Sequence, residues 1–364
     1  ILEILLRAVA PHETYQSLVP TEGIYKEHNY GDLFPGIEGN SYYSVNEYGY
    51  RSPSYFDESR YGILAIGGST TNCIGLSNDE SWPWILESLL NQSALNHAFT
   101  VGNVGVPALN SNHHYFQLKY LQPQYENVRM ILMLVGINDF NRTFLSKEFT
   151  TEENKHSFNR SFIRLPRDSK SMWYQRTELY MHLRDKYSAF RTSPSKLSPS
   201  DLDDMLNAYE AATKKDELPD MSLALDNYEA NLREIAQLAK LQGSELVLIT
   251  QPVLWHDGMT EYEKKITLTG IPIKDGITYT VEAMARGMEI FNNRLKVVAD
   301  DENVRVIDLA SMLPQDISVF FDWCHFNKSG AEKVAQAIYG NLGYLLNDDF
   351  SEAESGEKSE PIPN

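Results

Sequence analysis

The sequence lacks the features that would place it in several common classes of protein. Only two of its 364 residues are cysteine, Cys73 and Cys324, which is too few for a disulfide-rich scaffold or a zinc ribbon. No run of about 18 apolar residues occurs, so we predict no membrane-spanning helix in the chain. Positive charge is also scarce: the formal net charge is -18. A chain this acidic repels phosphate backbones, so we expect no nucleic-acid partner.

Several motifs of enzyme families are missing as well. The sequence has no H-E-x-x-H motif and no Cys/His cluster, so we predict no metal site. A Gly-Gly-Ser turn near residue 68 lacks both the G-K-[ST] ending and the G-x-G-x-x-G spacing of nucleotide-binding loops. We therefore predict no cofactor. The G-x-S-x-G elbow is also missing, which argues against the α/β-hydrolase fold.

Short apolar runs recur along the chain and alternate with stretches of helical spacing. Apolar runs of this kind are typical of strands buried inside a parallel sheet. The alternation therefore predicts an α/β fold with helices on both faces of a parallel sheet. The predicted strands cover 61–66, 101–104, 129–135, 246–250 and 304–307, and the predicted helices cover 80–91, 110–121, 222–242, 279–299 and 328–345.

The composition divides the chain into three parts. Residues 1–60 are rich in Tyr, Asn, Gly and Pro, and we expect a loop-rich segment packed on the core. Residues 61–345 form the main domain, with polar insertions at 141–221 and 254–278 beside the active-site face. Within the first insertion we predict helices over 178–190 and 201–213. Residues 346–364 are rich in Asp, Glu, Ser and Pro, which predicts a disordered acidic tail.

Polar and small residues follow the predicted strands at one edge of the sheet. GGST follows the first strand, NVGVP the second and GIND the third, and DWCH precedes the last helix. In an open parallel sheet, active sites lie beyond the carboxyl ends of the strands. These blocks would bring together a nucleophile, a base, a group that orients the base and donors for an oxyanion, as acyl transfer requires.

The four blocks, in this order and spacing, resemble the conserved blocks of the SGNH (GDSL-like) hydrolases, a superfamily of serine esterases and lipases. The resemblance covers roughly residues 60–345. It implies a three-layer α/β/α flavodoxin-like sandwich with a central parallel sheet of about five strands. It also implies serine-dependent ester hydrolysis through an acyl-enzyme.

The resemblance assigns a role to one residue in each block. Ser69 is the expected nucleophile, His325 its general base, and Asp322 the group that holds the imidazole in the correct tautomer. The expected oxyanion donors are the backbone N–H groups of Ser69 and Gly105 and the side-chain amide of Asn138. Relatives often have a further glycine where this chain has Ala108, a difference that would alter the local turn.

Each of these residues also has a purely structural interpretation. Asp322 and His325 alone would be typical of a helix N-cap followed by a surface histidine. Gly105 and Asn138 alone would be typical turn residues. We expect Asp139, next to Asn138, to satisfy loop amides rather than to take part in catalysis.

Several further residues lie near the four blocks. Thr70, Trp255 and His256 are candidates for the substrate pocket, although we favour core packing for Trp255. The adjacent His113 and His114 lie on a predicted helix, where they would either line the site or lie on the surface, and we favour the surface.

The two cysteines occupy positions close to the expected site. Cys73 lies four residues after Ser69, and Cys324 directly precedes His325. If the triad assembles, these two loops meet, so one hypothesis is a disulfide between Cys73 and Cys324, which would suit an oxidising compartment. The alternative is two buried free thiols.

Two enzymatic functions suit the same triad. The first is hydrolysis of carboxylic esters, as an esterase, a lipase or a carbohydrate deacetylase. The second is O-acyl transfer onto a cell-surface glycan, and a non-catalytic binding module is a third alternative. The expected partner is a small-molecule or glycan ester. The opening residues ILEILLRAV resemble the start of a fragment. The resemblance to the family implies an extracytoplasmic protein, either periplasmic, secreted or anchored by a segment upstream.

Overall fold

The computed structural model of the protein describes residues 25–29, 34–92, 98–145 and 199–355. The nine strands of the described chain are β1 Tyr25–Asn29, β2 Asn40–Ser44, β3 Arg60–Gly67, β4 Ala98–Asn103, β5 Val128–Leu134, β6 Thr213–Lys215, β7 Glu245–Ile249, β8 Ile277–Tyr279 and β9 Arg305–Ile307. The centre of the fold is a five-stranded sheet in the spatial order β4-β3-β5-β7-β9, and every neighbouring pair is parallel.

The central strands are apolar along nearly their whole length because both faces of the sheet are covered. All residues of β3 after Arg60 are buried, as are the last five residues of β5. The five strands follow the order 2-1-3-4-5, which is the flavodoxin-like arrangement. The predicted three-layer sandwich with a parallel five-stranded sheet is therefore confirmed.

Helices cover both faces of this sheet. The helices of the described chain are α1 Ser69–Asn72, α2 Trp82–Gln92, α3 Ser111–Tyr120, α4 Ile137–Leu145, α5 Pro199–Ala211, α6 Ser222–Leu241, α7 Glu261–Thr267, α8 Val281–Asp301, α9 Leu309–Met312 and α10 Lys328–Ser355. Helix α2 packs against α10, and α6 contacts α3, α4 and α8. Across the described segments, no helix has the length and apolar character needed to cross a bilayer.

The two predicted insertions contact each other. Strand β6, at the end of the first insertion, pairs in parallel with β8, at the end of the second. Helix α5 of the first insertion also contacts α7 of the second, and Lys265 forms an ion pair with Asp203 between them. The predicted helix over 178–190 lies outside the described residues.

The last helix is longer than predicted. It runs to Ser355 instead of ending at 345, so residues 346–355, expected to be disordered, are helical. The residues from 344 to 355 contain no glycine or proline, and Gly356 is the first helix-breaking residue after them. The remaining residues of the predicted tail, 356–364, lie outside the described chain.

The N-terminal segment packs on the core at the edge strand β4, with β1 and β2 forming an antiparallel pair. The backbone of Arg51 pairs with that of Asn103 at the end of β4, with N···O distances of 3.0 Å in both directions. The buried Glu87 on α2 accepts hydrogen bonds from the hydroxyls of Ser52 at 2.7 Å and Ser54 at 2.6 Å. The segment is therefore attached at two separate places.

Candidate active site

Ser69 lies at the sharp turn between β3 and α1, at the carboxyl edge of the sheet. The strand ends at Gly67, and the helix begins at Ser69. A Cβ atom at Gly68 would lie 2.5 Å from the Asn138 side-chain nitrogen, so glycine at this position lets the amide come close to the backbone. Ser69 is 9% exposed.

The loop that carries His325 is folded tightly ahead of α10. Phe320 and Phe326 form an isolated antiparallel bridge across it, and the Phe321 N–H donates to the His325 carbonyl at 3.0 Å. One carboxylate oxygen of Asp322, Oδ1, accepts the backbone N–H of Cys324 at 3.0 Å and of His325 at 2.8 Å. These contacts fix the carboxylate beside the imidazole.

Three side chains form a continuous hydrogen-bonded chain. His325 Nδ1 lies 2.7 Å from Asp322 Oδ2, and His325 Nε2 lies 2.7 Å from Ser69 Oγ. A carboxylate can only accept, so Nδ1 is the donor to Asp322, and Nε2 is left to accept the serine proton. The three residues that the sequence predicted to converge are therefore in contact.

Aromatic rings shield the imidazole from solvent. Phe321 stacks on His325 with ring centroids 5.6 Å apart, and Trp323 meets it edge-on at 6.0 Å. Our sequence reasoning did not single out Trp323. The available signal was its position inside the DWCH block, directly between Asp322 and His325.

The same loop brings a third potential metal ligand to this place. One donor atom each from Asp322, Cys324 and His325 lies within 4.8 Å of the others. However, both imidazole nitrogens are already engaged, by Asp322 and by Ser69. We therefore interpret Asp322 and His325 as members of the hydrogen-bonded chain, with Cys324 next to them.

Asn138 lies in the first turn of α4, beside the serine turn. Its side-chain nitrogen donates to the Leu109 carbonyl at 2.8 Å. A carboxamide carries two N–H groups, so one remains for another acceptor. A Cβ atom at Gly68 would lie 2.5 Å from the Asn138 nitrogen, so the amide is next to the serine turn. This position suits a donor to an oxyanion formed at Ser69.

The structure corrects the role expected of Gly105. Its backbone N–H donates to the Asn103 side-chain oxygen at 2.9 Å. A Cβ atom at Gly105 would lie 2.4 Å from the Asn72 nitrogen, so this glycine packs against the last residue of α1. Gly105 is therefore a packing residue whose N–H is already engaged, and the turn-glycine interpretation is the better one.

The turn after Gly105 leads back to the serine. The Leu109 N–H approaches the Val106 carbonyl at 3.4 Å, and Ala108 has a φ of +65°. With Pro107 before it, Ala108 holds the third position of a type II turn, where glycine is usual. The difference from relatives noted in the sequence therefore falls on a residue in a left-handed conformation. The same turn presents the Leu109 carbonyl to Asn138.

Asp139 has the structural role that was expected. Its carboxylate accepts the N–H of Ser111 at 3.1 Å and the Ser111 hydroxyl at 2.5 Å. Asn231 on α6 donates to the same hydroxyl at 2.9 Å. Burial raises the pKa of Asp139 to about 6. The carboxylate therefore ties the start of α3, at the end of the 104–110 loop, to the helix that carries Asn138.

Two of the three pocket candidates, Thr70 and Trp255, are buried. Thr70 is buried, and its hydroxyl donates to the Gln251 side chain at 3.2 Å. Trp255 is fully buried and stacks on Trp323 at 5.1 Å, so core packing is correct for it. His256 uses Nδ1 to donate to the Asp257 carbonyl at 2.6 Å.

The cysteines are both free and buried, so the disulfide hypothesis is corrected in favour of two thiols. The Cys73 thiol points back into its own turn and donates to the Thr70 carbonyl at 3.5 Å. Cys324 lies instead on the Asp322 side of the site. Burial raises the pKa of Cys73 to about 11, which keeps this thiol protonated and unreactive near neutral pH.

The two adjacent histidines on α3 are buried, not exposed as expected. The His113 side chain takes part in the helix cap with Asn110, and His114 Nδ1 lies 2.8 Å from the Gln117 side-chain oxygen. Burial lowers the pKa of His113 to about 3 and of His114 to about 4. Both imidazoles are therefore neutral at physiological pH.

A flavodoxin-like sandwich with a hydrogen-bonded Asp–His–Ser chain at the carboxyl edge of its sheet has the fold and site of the SGNH class of hydrolases. The family model of the GDSL-like lipase/acylhydrolase family matches residues 65–333, and the chain belongs to this family. The protein is accordingly a carboxylic ester hydrolase.

Solved structures of similar fold differ widely from this chain in sequence. The acetylxylan esterase Axe2 from Geobacillus stearothermophilus has 14% identity and a TM-score of 0.43, over 80% of this chain and 98% of that one. LAE5, an α/β hydrolase enzyme from the metagenome of Lake Arreo, Spain, has 12% identity and a TM-score of 0.43, over 80% and 99%.

A putative lipolytic protein of the G-D-S-L family from Desulfitobacterium hafniense DCB-2 has 12% identity and a TM-score of 0.39, over 77% and 99%. A search of curated proteins finds no significant match. The family assignment therefore rests on the family model.

Proposed function

We propose that the protein hydrolyses small carboxylic esters through an acyl-enzyme on Ser69. The observation that carries this proposal is the chain of two 2.7 Å contacts from Asp322 through His325 to the Ser69 hydroxyl. A serine hydroxyl is a weak nucleophile until an adjacent base accepts its proton. The contact with His325 Nε2 supplies that base.

In the first half of the reaction, Ser69 Oγ attacks the ester carbonyl carbon while its proton passes to His325 Nε2. Asp322 stabilises the resulting imidazolium. The tetrahedral intermediate collapses, the bond to the alcohol oxygen breaks, and His325 returns the proton to the leaving alcohol. In the second half, water attacks the acyl-serine by the same steps and releases the carboxylic acid.

The negative charge on the tetrahedral intermediate needs donors close to Ser69. The side-chain amide of Asn138 and the backbone N–H of Ser69 are two of them. Because the N–H of Gly105 is engaged by Asn103, we assign the third donor to the backbone N–H of Ala108. Its turn carries the Leu109 carbonyl that already binds Asn138.

The surroundings of Ser69 favour a short acyl group. The serine is 9% exposed, and the Trp323 ring, which stacks on the buried Trp255, lies 6.0 Å from the His325 ring. We infer that little room is left for the acyl chain, and a narrow site discriminates between acyl chains by steric exclusion. We expect kcat/KM for p-nitrophenyl acetate to exceed that for the octanoate by about 10-fold or more.

The test is hydrolysis of p-nitrophenyl acetate by the wild-type protein and by Ser69→Ala. The variant should lose about 10⁴-fold or more in kcat, because the covalent intermediate cannot form. A fluorophosphonate probe should label Ser69 in the wild type, as read by peptide mass spectrometry. The exposed Ser59→Ala serves as the control and should keep full activity.

The same assay separates hydrolysis from transfer when an oligosaccharide acceptor is added. Release of acetate with no acetylated sugar supports hydrolysis. Full activity of Ser69→Ala, or labelling at another serine, would contradict the assignment of the nucleophile.

A further inference from the structure

Arg51 is a buried cation behind the serine turn. It lies in the N-terminal segment, before the first residue of the matched family region at 65, and 1% of its surface is exposed. Its backbone is fixed to the end of β4 through the pairing with Asn103. The side chain therefore enters the core from outside the region that the family shares.

The guanidinium of Arg51 binds the chain just after the nucleophile helix. One terminal nitrogen donates to the carbonyl of Asn72, the last residue of α1, and the other approaches the carbonyl of Leu76 at 3.4 Å. The Nε atom donates to the Asn78 side-chain oxygen at 2.8 Å. The ring of Tyr43 lies under the guanidinium at 4.4 Å from its centroid.

None of these partners is a carboxylate, so the buried positive charge of Arg51 is balanced by carbonyl oxygens. The last carbonyls of a helix have no partner inside the helix and carry partial negative charge. A guanidinium, with five N–H groups in a rigid plane, can bind several such oxygens at once. Arg51 therefore closes the carboxyl-terminal end of α1.

Helix α1 is a single turn, so its two ends are closely coupled. Ser69 is its first residue and Asn72 its last. One turn of helix spans about 5.4 Å, so a shift at the carboxyl-terminal end moves Ser69 by a similar amount. The contact of Ser69 Oγ with His325 Nε2 at 2.7 Å tolerates little displacement.

We propose that Arg51 is a positioning residue for the ester hydrolase reaction, holding α1 where the Ser69 hydroxyl reaches His325. This inference rests on the proposed role of Ser69 as the nucleophile. It gives the N-terminal segment a part in catalysis beyond packing. Because Arg51 is buried, we expect it to make no contact with the ester, so ester binding should depend little on it.

The second attachment of the same segment supplies a matched control. Ser54 on this segment donates to Glu87 of α2 and lies 2.8 Å from the Thr100 hydroxyl, and none of these contacts involves α1. Ser54→Ala should loosen the segment without changing the end of α1. A loss of stability with normal kcat is therefore the expected result for this variant.

The experiment compares Arg51→Met, Arg51→Lys and Ser54→Ala with the wild type in hydrolysis of p-nitrophenyl acetate. Misplacement by about 1 Å far from the chemistry can lower a rate roughly 100-fold, so we expect a loss of that size in kcat for Arg51→Met. KM should stay within about 2-fold, because binding contacts are unchanged. Arg51→Lys keeps the positive charge but loses the planar guanidinium, so its kcat should lie between those of the wild type and Arg51→Met.

Chemical rescue keeps the inference testable if Arg51→Met folds poorly. Methylguanidinium added to Arg51→Ala should restore part of kcat and of the rate of fluorophosphonate labelling at Ser69. If folded Arg51→Met had the same kcat as Ser54→Ala, the positioning role would be wrong. It would also be wrong if methylguanidinium restored the stability of Arg51→Ala but not its kcat. An active Ser69→Ala variant would instead overturn the proposed nucleophile, so the two failures are distinguishable.

Discussion

The two ends of helix α1 are supported in different ways. At the amino-terminal end, Ser69 meets His325 at 2.7 Å, and the Asn138 amide adjoins the preceding glycine. At the carboxyl-terminal end, Asn72 meets the guanidinium of Arg51 and the backbone of Gly105. On our proposal, the first end carries the side chains that take part in the reaction, and the second end carries groups that hold the backbone in place.

This difference shows how a short helix can present a nucleophile accurately. A single turn has few hydrogen bonds of its own, so its position must come from its surroundings. Asn72 and Asn103 provide much of this support: Asn72 donates to the Gly105 carbonyl at 2.9 Å, and Asn103 donates to the Thr71 carbonyl at 2.8 Å. Changes at the reacting end should therefore alter kcat alone, and changes at the supporting end should alter stability as well.

The largest effect is expected at the reacting end, from Asp322→Asn. The amide in place of the carboxylate would favour the wrong imidazole tautomer, and kcat should fall about 10⁴-fold. KM and the melting temperature should change little. Hydrolysis of p-nitrophenyl acetate measures this, with Asp316→Asn in the preceding loop as the control. A loss below about 10-fold would remove Asp322 from the triad.

A direct comparison of the two ends comes from Asn138→Ala and Gly105→Ala. Asn138→Ala removes one oxyanion donor, and kcat should fall about 10²- to 10³-fold with a small change in stability. Gly105→Ala places a Cβ 2.4 Å from the backbone nitrogen of Asn72, so α1 must shift. We expect that variant to lose roughly 1–3 kcal/mol of stability together with activity.

Parallel measurements of kcat and melting temperature check both variants. An unchanged melting temperature in Gly105→Ala would show that this glycine does not support α1. A large loss of stability in Asn138→Ala would show that Asn138 acts mainly in folding, through its hydrogen bond to the Leu109 carbonyl, rather than in catalysis.

The reacting end could be predicted from the sequence because its residues follow strands in recognisable blocks. Short apolar runs located four of the five central strands to within two residues at each end, and located β4 with a start three residues late. Ser69, Asp322 and His325 then followed from strand ends that share one edge of the sheet. The chain of contacts between them was therefore expected before any coordinates.

The supporting end could not be predicted in this way. Whether the Gly105 N–H points to the substrate or to Asn103 depends on one peptide orientation, which no pattern of residue types records. A lone arginine before Ser-Pro gives no signal of burial, since arginine is usually exposed. The burial of His113, His114 and Trp255 likewise depends on the packing of neighbouring elements.

Asp139 supports the helix that carries Asn138, and the pH dependence of the free energy of unfolding tests this support. Its pKa is raised from 3.8 to about 6, so the folded state favours the neutral carboxyl. The stability contributed by this group is complete below pH 4 and is lost as the pH rises through 6. Relative to Asp139→Asn, the wild type should lose up to about 3 kcal/mol between these limits.

Urea denaturation of both proteins at pH 4, 5, 6 and 7 measures this difference. The buried His113 and His114 have lowered pKa values and act in the opposite direction, but they are common to both proteins and cancel in the comparison. A difference in stability that stays constant with pH would contradict the raised pKa of Asp139.

The smallest effect is expected at the turn that connects the two ends. Ala108 has a φ of +65°, a conformation that costs an L-residue about 1–2 kcal/mol. Ala108→Gly relieves this strain but adds freedom to the unfolded chain, so we expect a net gain of about 0.5–1 kcal/mol. Activity should be unchanged, because the N–H that we assign to the oxyanion keeps its position. The reverse substitution Gly243→Ala, at a φ of +72° between α6 and β7, should lower stability by a similar amount. A lower melting temperature in Ala108→Gly would contradict the strain, and a fall in kcat would show that the methyl group of Ala108 helps to hold the donor in place.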